Sequence, residues 1–531
     1  MTQKGSITHL LMLAGWLAAF AAYATRLGGD ADWDLRNYHL YNAFALLHGR
    51  LGFDLAPAQR QSFHAPVEDL LRYAFETLLP GTPSLRNILY TLPAAASAFL
   101  ATCIAGRALP ASLPHRRAIA LLAAAVGATG AAGLSTLATS MSEALPTSLI
   151  LGGLILALPR PSGDERPRHR FGAGLLFGIA AGLKLTTAVY TLGLLASLAV
   201  AATGSLRRRL SGAAVAGLGV GAGALVVAGP WWGYLWLRYG SPLFPYFNDI
   251  VRSPFYDPVA LTDDRFKPSG LAEALAYPFL WGFTETSHVS ELAFRDPRMA
   301  LAVAGALLVL AHTVAACLLP RATAWRRLPP PGSAARFLAV FFLAAFAAWE
   351  AEFGVFRYLA ANEAICGIVM LLPLAALAQD RPLRLPAATG GLLLLALIGA
   401  TTAYPEWERL PNGASSLRVV FPPVPPGSTI LLIQNAPLAY VATFAPPGSR
   451  FVGAGNNLIH PAQTNGLARR IEAAVRGSAG PLWSLEEINH EETGDTVLAY
   501  YDLHRTGCTK LATNLPSQPL RLCRLTGDAT P

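Results

Sequence analysis

Eleven apolar runs, each bounded by charge, constrain this chain more than any other feature. They are 8–25, 87–105, 118–138, 144–158, 171–183, 186–203, 211–229, 298–318, 337–349, 363–379 and 386–402. A helix needs about 20 apolar residues to cross a hydrocarbon core of about 30 Å, and fewer where it ends inside protein. The runs 144–158, 171–183 and 337–349 are the short ones. Composition points the same way. Only 14% of the 531 residues are charged and 53% are apolar, with a mean hydropathy of +0.40; an ordinary globular protein is about 25% charged. A disordered chain, a fibrous repeat and a disulfide-dense scaffold are excluded. The expected fold is an α-helical polytopic membrane protein.

The formal charge of +9 resembles a nucleic-acid signal until it is mapped onto the loops. Taking every second loop from the N-terminus gives 1–7, 106–117, 159–170, 204–210, 319–336 and 380–385. These carry 17 Lys and Arg against three acids, Asp164, Glu165 and Asp380. Cytoplasmic loops of membrane proteins carry such an excess. The N-terminus is therefore placed in the cytoplasm and the C-terminus outside, with no nucleic-acid partner. A single helix over 171–204 would be about 51 Å long at 1.5 Å per residue, and would leave Arg207–Arg209 on the wrong side. A break at Lys184 resolves both problems and sets that lysine at the outer face. The N-terminal run lacks the form of a cleaved signal peptide and is read as the first span. Cys103, Cys317 and Cys366 lie in spans as small apolar residues. Cys508 and Cys523 lie in the external tail, where an oxidising periplasm lets them pair.

Three external pieces hold the polar chemistry. The loop 26–86 opens with Asp30, Asp32 and Asp34 at spacing two, immediately after the first span. Residues 35–49 read as a helix on the membrane surface, and 67–79 as another. In the second, Val67, Leu70, Leu71, Ala74, Phe75 and Leu78 form one apolar stripe, while Glu68, Asp69, Arg72 and Glu76 face away. The loop 230–297 carries Pro230-Trp231-Trp232, with Arg238, Arg252, Arg265, Lys267, Glu285 and His288. Its aromatics read as interfacial anchors. The tail 403–531 reads as a small α/β domain, with strands at 428–433, 497–503 and 519–525 and a helix at 465–477. Gly453-Ala454-Gly455-Asn456-Asn457 lacks the dinucleotide spacing and reads as a loop.

Carboxylates at an outer membrane face can act as a general base on an acceptor hydroxyl or hold a metal. Asp30, Asp32 and Asp34 are the candidates, with a divalent ion such as Mg or Mn left open. Glu143, at the start of the fourth span, is a second acid or a helix N-terminal carboxylate. His39 and His64 are candidate bases or hydrogen-bond partners. Lys184 and Arg357 sit at span ends, where an isolated cation is costly and tends to have an anionic partner. A lipid phosphate suits them, and Arg binds phosphate bidentately.

At these residues the chain resembles a family. Asp34-Leu35-Arg36-Asn37-Tyr38-His39-Leu40-Tyr41-Asn42 followed by Gly49-Arg50, and Ala181-Gly182-Leu183-Lys184-Leu185-Thr186, are similar to elements of the GT-C glycosyltransferase superfamily, in its bacterial polyprenol-phosphate-sugar (mannosyltransferase-like) branch. The resemblance covers roughly 8–402 and departs at Asp32-Trp33-Asp34, where many members carry an adjacent Asp-Glu pair. It implies a transmembrane catalytic domain over 1–402, with 403–531 as a periplasmic domain, in a bacterial inner membrane. It further implies a polyprenyl-phosphate-linked sugar donor, a lipid, glycan or protein acceptor, and inversion at the anomeric carbon. Asp34 or Asp32 would be the base. Lys184 and Arg357 would stabilise the leaving phosphate, and Glu143, Asn37, Tyr38, His39, His64, Arg238 and Glu285 would line the substrates. Two alternatives use similar scaffolds: an O-antigen polymerase or ligase, and a lipid-linked-sugar transporter or flippase.

Overall fold

The computed structural model describes residues 3–160, 166–318, 328–411, 414, 416–488 and 491–527. Asp164, Glu165, Arg321, Arg326 and Arg327, used in the loop-charge argument, lie outside the described residues. The protein is a polytopic helical membrane protein with a small α/β domain after its last apolar helix, Arg384–Thr401.

A helix lies at each of the eleven apolar runs. Among the described residues, seven helices are long and apolar enough to cross a membrane, and Ala144–Ala157 and Leu185–Val200 are shorter apolar pieces. Three expectations need correction. The run 118–138 is not one span: it divides into Arg116–Ala128 and Ala131–Ser135 around Thr129-Gly130, where Asp296 accepts from the Ala131 amide at 2.9 Å. The run 211–229 belongs to a 34-residue helix, Leu206–Tyr239. Pro230-Trp231-Trp232 is therefore inside a helix rather than in a loop, because Trp231 and Leu235 are buried against the first external loop. The run 337–349 is the middle of a 20-residue helix, Ser333–Glu352.

The break at Lys184 is present. Helix Pro167–Leu183 stops, Lys184 is extended (φ −143°, ψ 109°), and a 3-10 turn leads into Val189–Val200. The first of these helices packs against Leu206–Tyr239 through glycines. A Cβ on Gly174 would lie 1.9 Å from the Ala216 carbonyl oxygen, and one on Gly178 would lie 2.1 Å from that of Val220. On the facing helix, one on Gly219 would lie 2.2 Å from the Phe171 oxygen. Small residues at spacing four let two backbones touch where lipid supplies no hydrophobic drive between helices.

The two ends of the bundle differ in chemistry. Helix Pro83–Ala108 begins where Asn87 donates to the Leu27 carbonyl at 2.9 Å, beside the first external loop. It ends where Arg107 donates to Ile155 and Leu158, at 2.5 and 2.9 Å. Arg170 (to Ala157, 2.6 Å) and Ser112 (to Gln379, 3.0 Å) join that second end. Among the described residues, Arg107, Ser112 and Arg170 thus meet Leu158, Gln379 and Ala157 at one end, and the first-loop acids lie near the other.

In the tail, β1 (Val419–Val420) pairs with β6 (Ala512–Thr513). A five-stranded sheet has the order β3-β2-β4-β7-β5, formed by β2 (Thr429–Leu432), β3 (Arg450–Gly453), β4 (Leu482–Glu487), β5 (Leu503–Lys510) and β7 (Leu520–Gly527). β2 is parallel to β3 and β4, while β7 is antiparallel to β4 and β5. Cys508 and Cys523 stand opposite each other on β5 and β7 and form a disulfide. The strand expected at 497–503 is instead mostly the helix Glu491–Tyr500. Val497, Leu498 and Tyr501 are buried at helical spacing, and the strand starts only at Leu503. Residues 453–457 form a loop in which the Asn456 side chain accepts from the Leu458 and Ile459 amides.

The tail is not a detached module. Leu55 of the first loop extends the β3 edge, donating to Phe451 at 3.0 Å and accepting from Gly453 at 2.8 Å. Asp54 accepts from the Phe451 amide at 2.8 Å. Leu35, Tyr38 and Tyr41 share one core with Leu432, Tyr440 and Leu520. The helix Val67–Leu78 exposes Val67, Leu71 and Leu78 and buries Asp69 and Arg72. Its apolar stripe thus faces outward, where the bilayer interface would lie, and its polar face is turned to the protein.

Candidate active site

The first span ends at Ala24, and the chain must then reverse under the interfacial helices. Asp30 and Asp32 make that reversal rigid. Asp30 accepts from the Ser140 amide at 2.6 Å and from the Asp32 amide at 3.0 Å. Asp32 accepts from the Leu35 amide (2.8 Å), the Ser140 hydroxyl (2.7 Å) and the Met141 amide (3.3 Å). Both carboxylates are spent on backbone, pinning the loop to the segment before Glu143. Burial, and then the Asp32 carboxylate, push Asp30 well above the usual range.

Asp34 points elsewhere. It opens a wide π-helical turn, Leu35–His39, and its carboxylate receives the Arg357 Nη1 at 2.6 Å. The two side chains are 6% and 11% exposed, so this is a nearly dry ion pair. Burial opposes the charged carboxylate, but Arg357 and Lys184 outweigh it and hold Asp34 below the usual range. Arg357 also reaches Glu291 at 3.3 Å and lies 5.1 Å from the centre of the Tyr358 ring. Lys184 pairs with Glu143 at 2.6 Å and sits 5.8 Å from the same ring. Two cations therefore flank one tyrosine, each held by a carboxylate. Glu143 makes no side-chain cap to its own helix, Ala144–Ala157; its partner is Lys184.

Aromatic groups enclose Asp34 on the other side. Tyr38, one turn on, brings its hydroxyl to 3.5 Å. His64 lies edge-on to Tyr38 at 5.2 Å and bonds the Tyr246 hydroxyl through Nε2 at 2.8 Å. Burial, and then Arg60, lower His64 to about 4, so it is neutral near pH 7. His39 contacts Asp69 instead, and burial drives both toward their neutral forms. Asn37 is buried and reaches the Ala58 carbonyl at 3.5 Å. Arg238 is exposed and packs against Gly52, and Glu285 is exposed; neither joins the Asp34 cluster.

The Asp30, Asp32 and Asp34 carboxylates do not converge on one point. Among the described residues, no group of three or more His, Cys, Asp and Glu side chains is arranged to hold a metal ion.

A cavity opens beside the site. Its lining includes Glu143 and Arg357, but not Asp34 or Lys184, and otherwise mainly Phe20 and small residues of the apolar helices. Glu363 also lines it, accepting from the Ala132 and Gly133 amides at 3.0 and 2.7 Å. Sequence reasoning missed Glu363, Glu291, Tyr246, and the approach of Glu68 to Lys184 and Glu143. An acid inside an apolar run was a usable signal for Glu363. Glu291 and Tyr246 are brought in from the second external loop, and no local pattern marks them.

No family model and no curated protein matches this chain. Among solved structures, ArnT from Cupriavidus metallidurans in its apo state is similar, with a TM-score of 0.43 and 13% identity over 98% of each chain.

Proposed function

We propose that the protein is a membrane glycosyltransferase that moves a sugar from a polyprenyl-phosphate donor to an acceptor hydroxyl at the outer face. One observation carries this reading: a buried, ionised carboxylate, Asp34, bonded at 2.6 Å to an arginine that also lines a cavity among apolar helices. A lipid phosphate entering that cavity would meet Arg357 first and Lys184 next to it. Both cations are held by side-chain carboxylates that a phosphate can displace.

The chemistry follows from that exchange. While Arg357 is bound to Asp34, the carboxylate is a poor base. When the donor phosphate takes the guanidinium, Asp34 loses its strongest partner, and burial raises its proton affinity. It then accepts the acceptor's hydroxyl proton. The acceptor oxygen forms a bond to the anomeric carbon as the bond from that carbon to the phosphate oxygen breaks, with inversion. Arg357 and Lys184 hold the charge left on the polyprenyl phosphate. Asp32 is saturated by three donors, which favours Asp34 as the base. The excess of Lys and Arg in alternate loops supports an N-terminus in the cytoplasm and a tail in the periplasm of a bacterial inner membrane.

The test is transfer from a polyprenyl-phosphate sugar by purified protein, read by mass spectrometry. Asp34→Asn is expected to lower the rate about 10²- to 10⁴-fold, the range of a lost general base, with folding unchanged. A rate within a few-fold of wild type in Asp34→Asn would remove Asp34 from the chemistry. Vesicle uptake of the lipid-linked sugar without glycosyl product would replace the reading with transport.

A further inference from the structure

A second cavity lies beside the segment 59–64. Phe63 and His64 are consecutive, and they part there: His64 turns to Tyr38, while Phe63 lines this cavity. We infer that the cavity is a saccharide-binding subsite that holds the acceptor glycan next to the reacting centre.

The wall is aromatic and fixed. Trp231 donates its indole N–H to the Phe63 carbonyl at 2.9 Å, and Tyr234 stacks on it with centroids 5.1 Å apart and planes 26° apart. Tyr239 continues the wall, edge-on to Phe63 at 5.1 Å. The rest of the lining is polar, with the exposed Arg238 beside Gly52 at its edge. Arg50 grips Asp54 through Nε at 2.6 Å and Nη2 at 2.8 Å, and Tyr41 donates to the same carboxylate at 2.8 Å. An anionic ligand would have to break that pair. A neutral sugar would not: its C–H face lies on an aromatic ring, and its hydroxyls reach the polar edge. The Tyr239 hydroxyl has no hydrogen bond in the described residues and remains for such a ligand, while Tyr234 offers its ring. Two parts of the chain line the pocket, the first loop and the end of the long helix, and the tail holds Arg50 in place through its bond to the Ser449 carbonyl at 2.6 Å.

That the saccharide is the acceptor rests on the glycosyl-transfer reading above; that a saccharide binds here does not. The experiment is saturation-transfer NMR on the full chain in lipid nanodiscs free of glycoside detergent, with maltose, lactose, cellobiose, chitobiose and mannobiose as probes. Saturation of at least one disaccharide is expected. It should fall about fivefold or more in Tyr234→Ala, the size of one lost aromatic contact, and persist in Tyr234→Phe and in Asp34→Asn. Tyr234 is only half-buried, so its removal leaves the core intact. No signal from any probe, a signal unchanged in Tyr234→Ala, or a signal lost in Asp34→Asn would each overturn the subsite. Binding lost in Tyr234→Ala without transfer by wild type would overturn the glycosyl-transfer reading alone.

Discussion

The Asp34–Arg357 pair allows a sharp thermodynamic test. Replacing Arg357 with Gln removes the partner of a carboxylate that is 6% exposed. Breaking a buried pair from one side costs about 3–5 kcal/mol, because the remaining charge is left desolvated and unpaired. The sign with pH is fixed by the direction of the shift. In the wild type, Asp34 is held below its usual range, so its contribution to stability is present above about pH 4 and is lost as pH falls through the lower folded value. Without Arg357, burial is the largest influence left and the folded value moves above the usual one. The variant should then lose stability as pH rises from about 4 toward 7, the reverse of the wild type. Adding Asp34→Asn should recover most of the loss, since both partners are then neutral. Apparent melting temperatures in nanodiscs at pH 4.5 and 7.5, for the wild type, both single variants and the double variant, give the full cycle. A loss that is equal at both pH values, or that Asp34→Asn fails to recover, would show that the pair does not have the buried, ionised character assigned to it.

Three further outcomes are expected. Gly178→Leu should strongly destabilise the protein, since even a Cβ would lie 2.1 Å from the Val220 carbonyl oxygen; Gly217→Leu, with no atom within 4 Å, should not, as thermal unfolding of both will show. Cys508→Ser with Cys523→Ser should cost about 3 kcal/mol, the entropy of releasing a 15-residue loop, measured as lower denaturant resistance of the tail. His64 is lowered from 6.5 to about 4, so the unfolded chain binds its proton first and stability should decline as pH falls through that interval. His64→Gln should flatten this part of the pH–stability curve.

The sequence by itself determined where the apolar helices lie and the break at Lys184, and it carries the loop-charge asymmetry from which sidedness is proposed. These are consequences of apolar length and loop charge, which act locally along the chain. It also marked Lys184 and Arg357 as cations at span ends, where an isolated charge is too costly to be incidental, and Asp34 as one of three acids in the first external loop. It misread 497–503, because a short apolar run has no period long enough to separate strand from helix. It ended one helix too early at Pro230, because the first loop covers Trp231 and the helix continues past the expected membrane boundary.

Tertiary structure alone decided which carboxylate meets an arginine instead of the backbone and Ser140. Asp30, Asp32 and Asp34 are equivalent in sequence: three acids at spacing two. The difference between them is made by Ser140 and Met141, which bind the first two, and by Arg357, which reaches the third across 323 positions. Such partners are set by how helices stack, through glycine contacts and a shared core with the tail. No local rule carries that information, because a pairing energy depends on distance in space and on burial, neither of which is written in spacing along the chain.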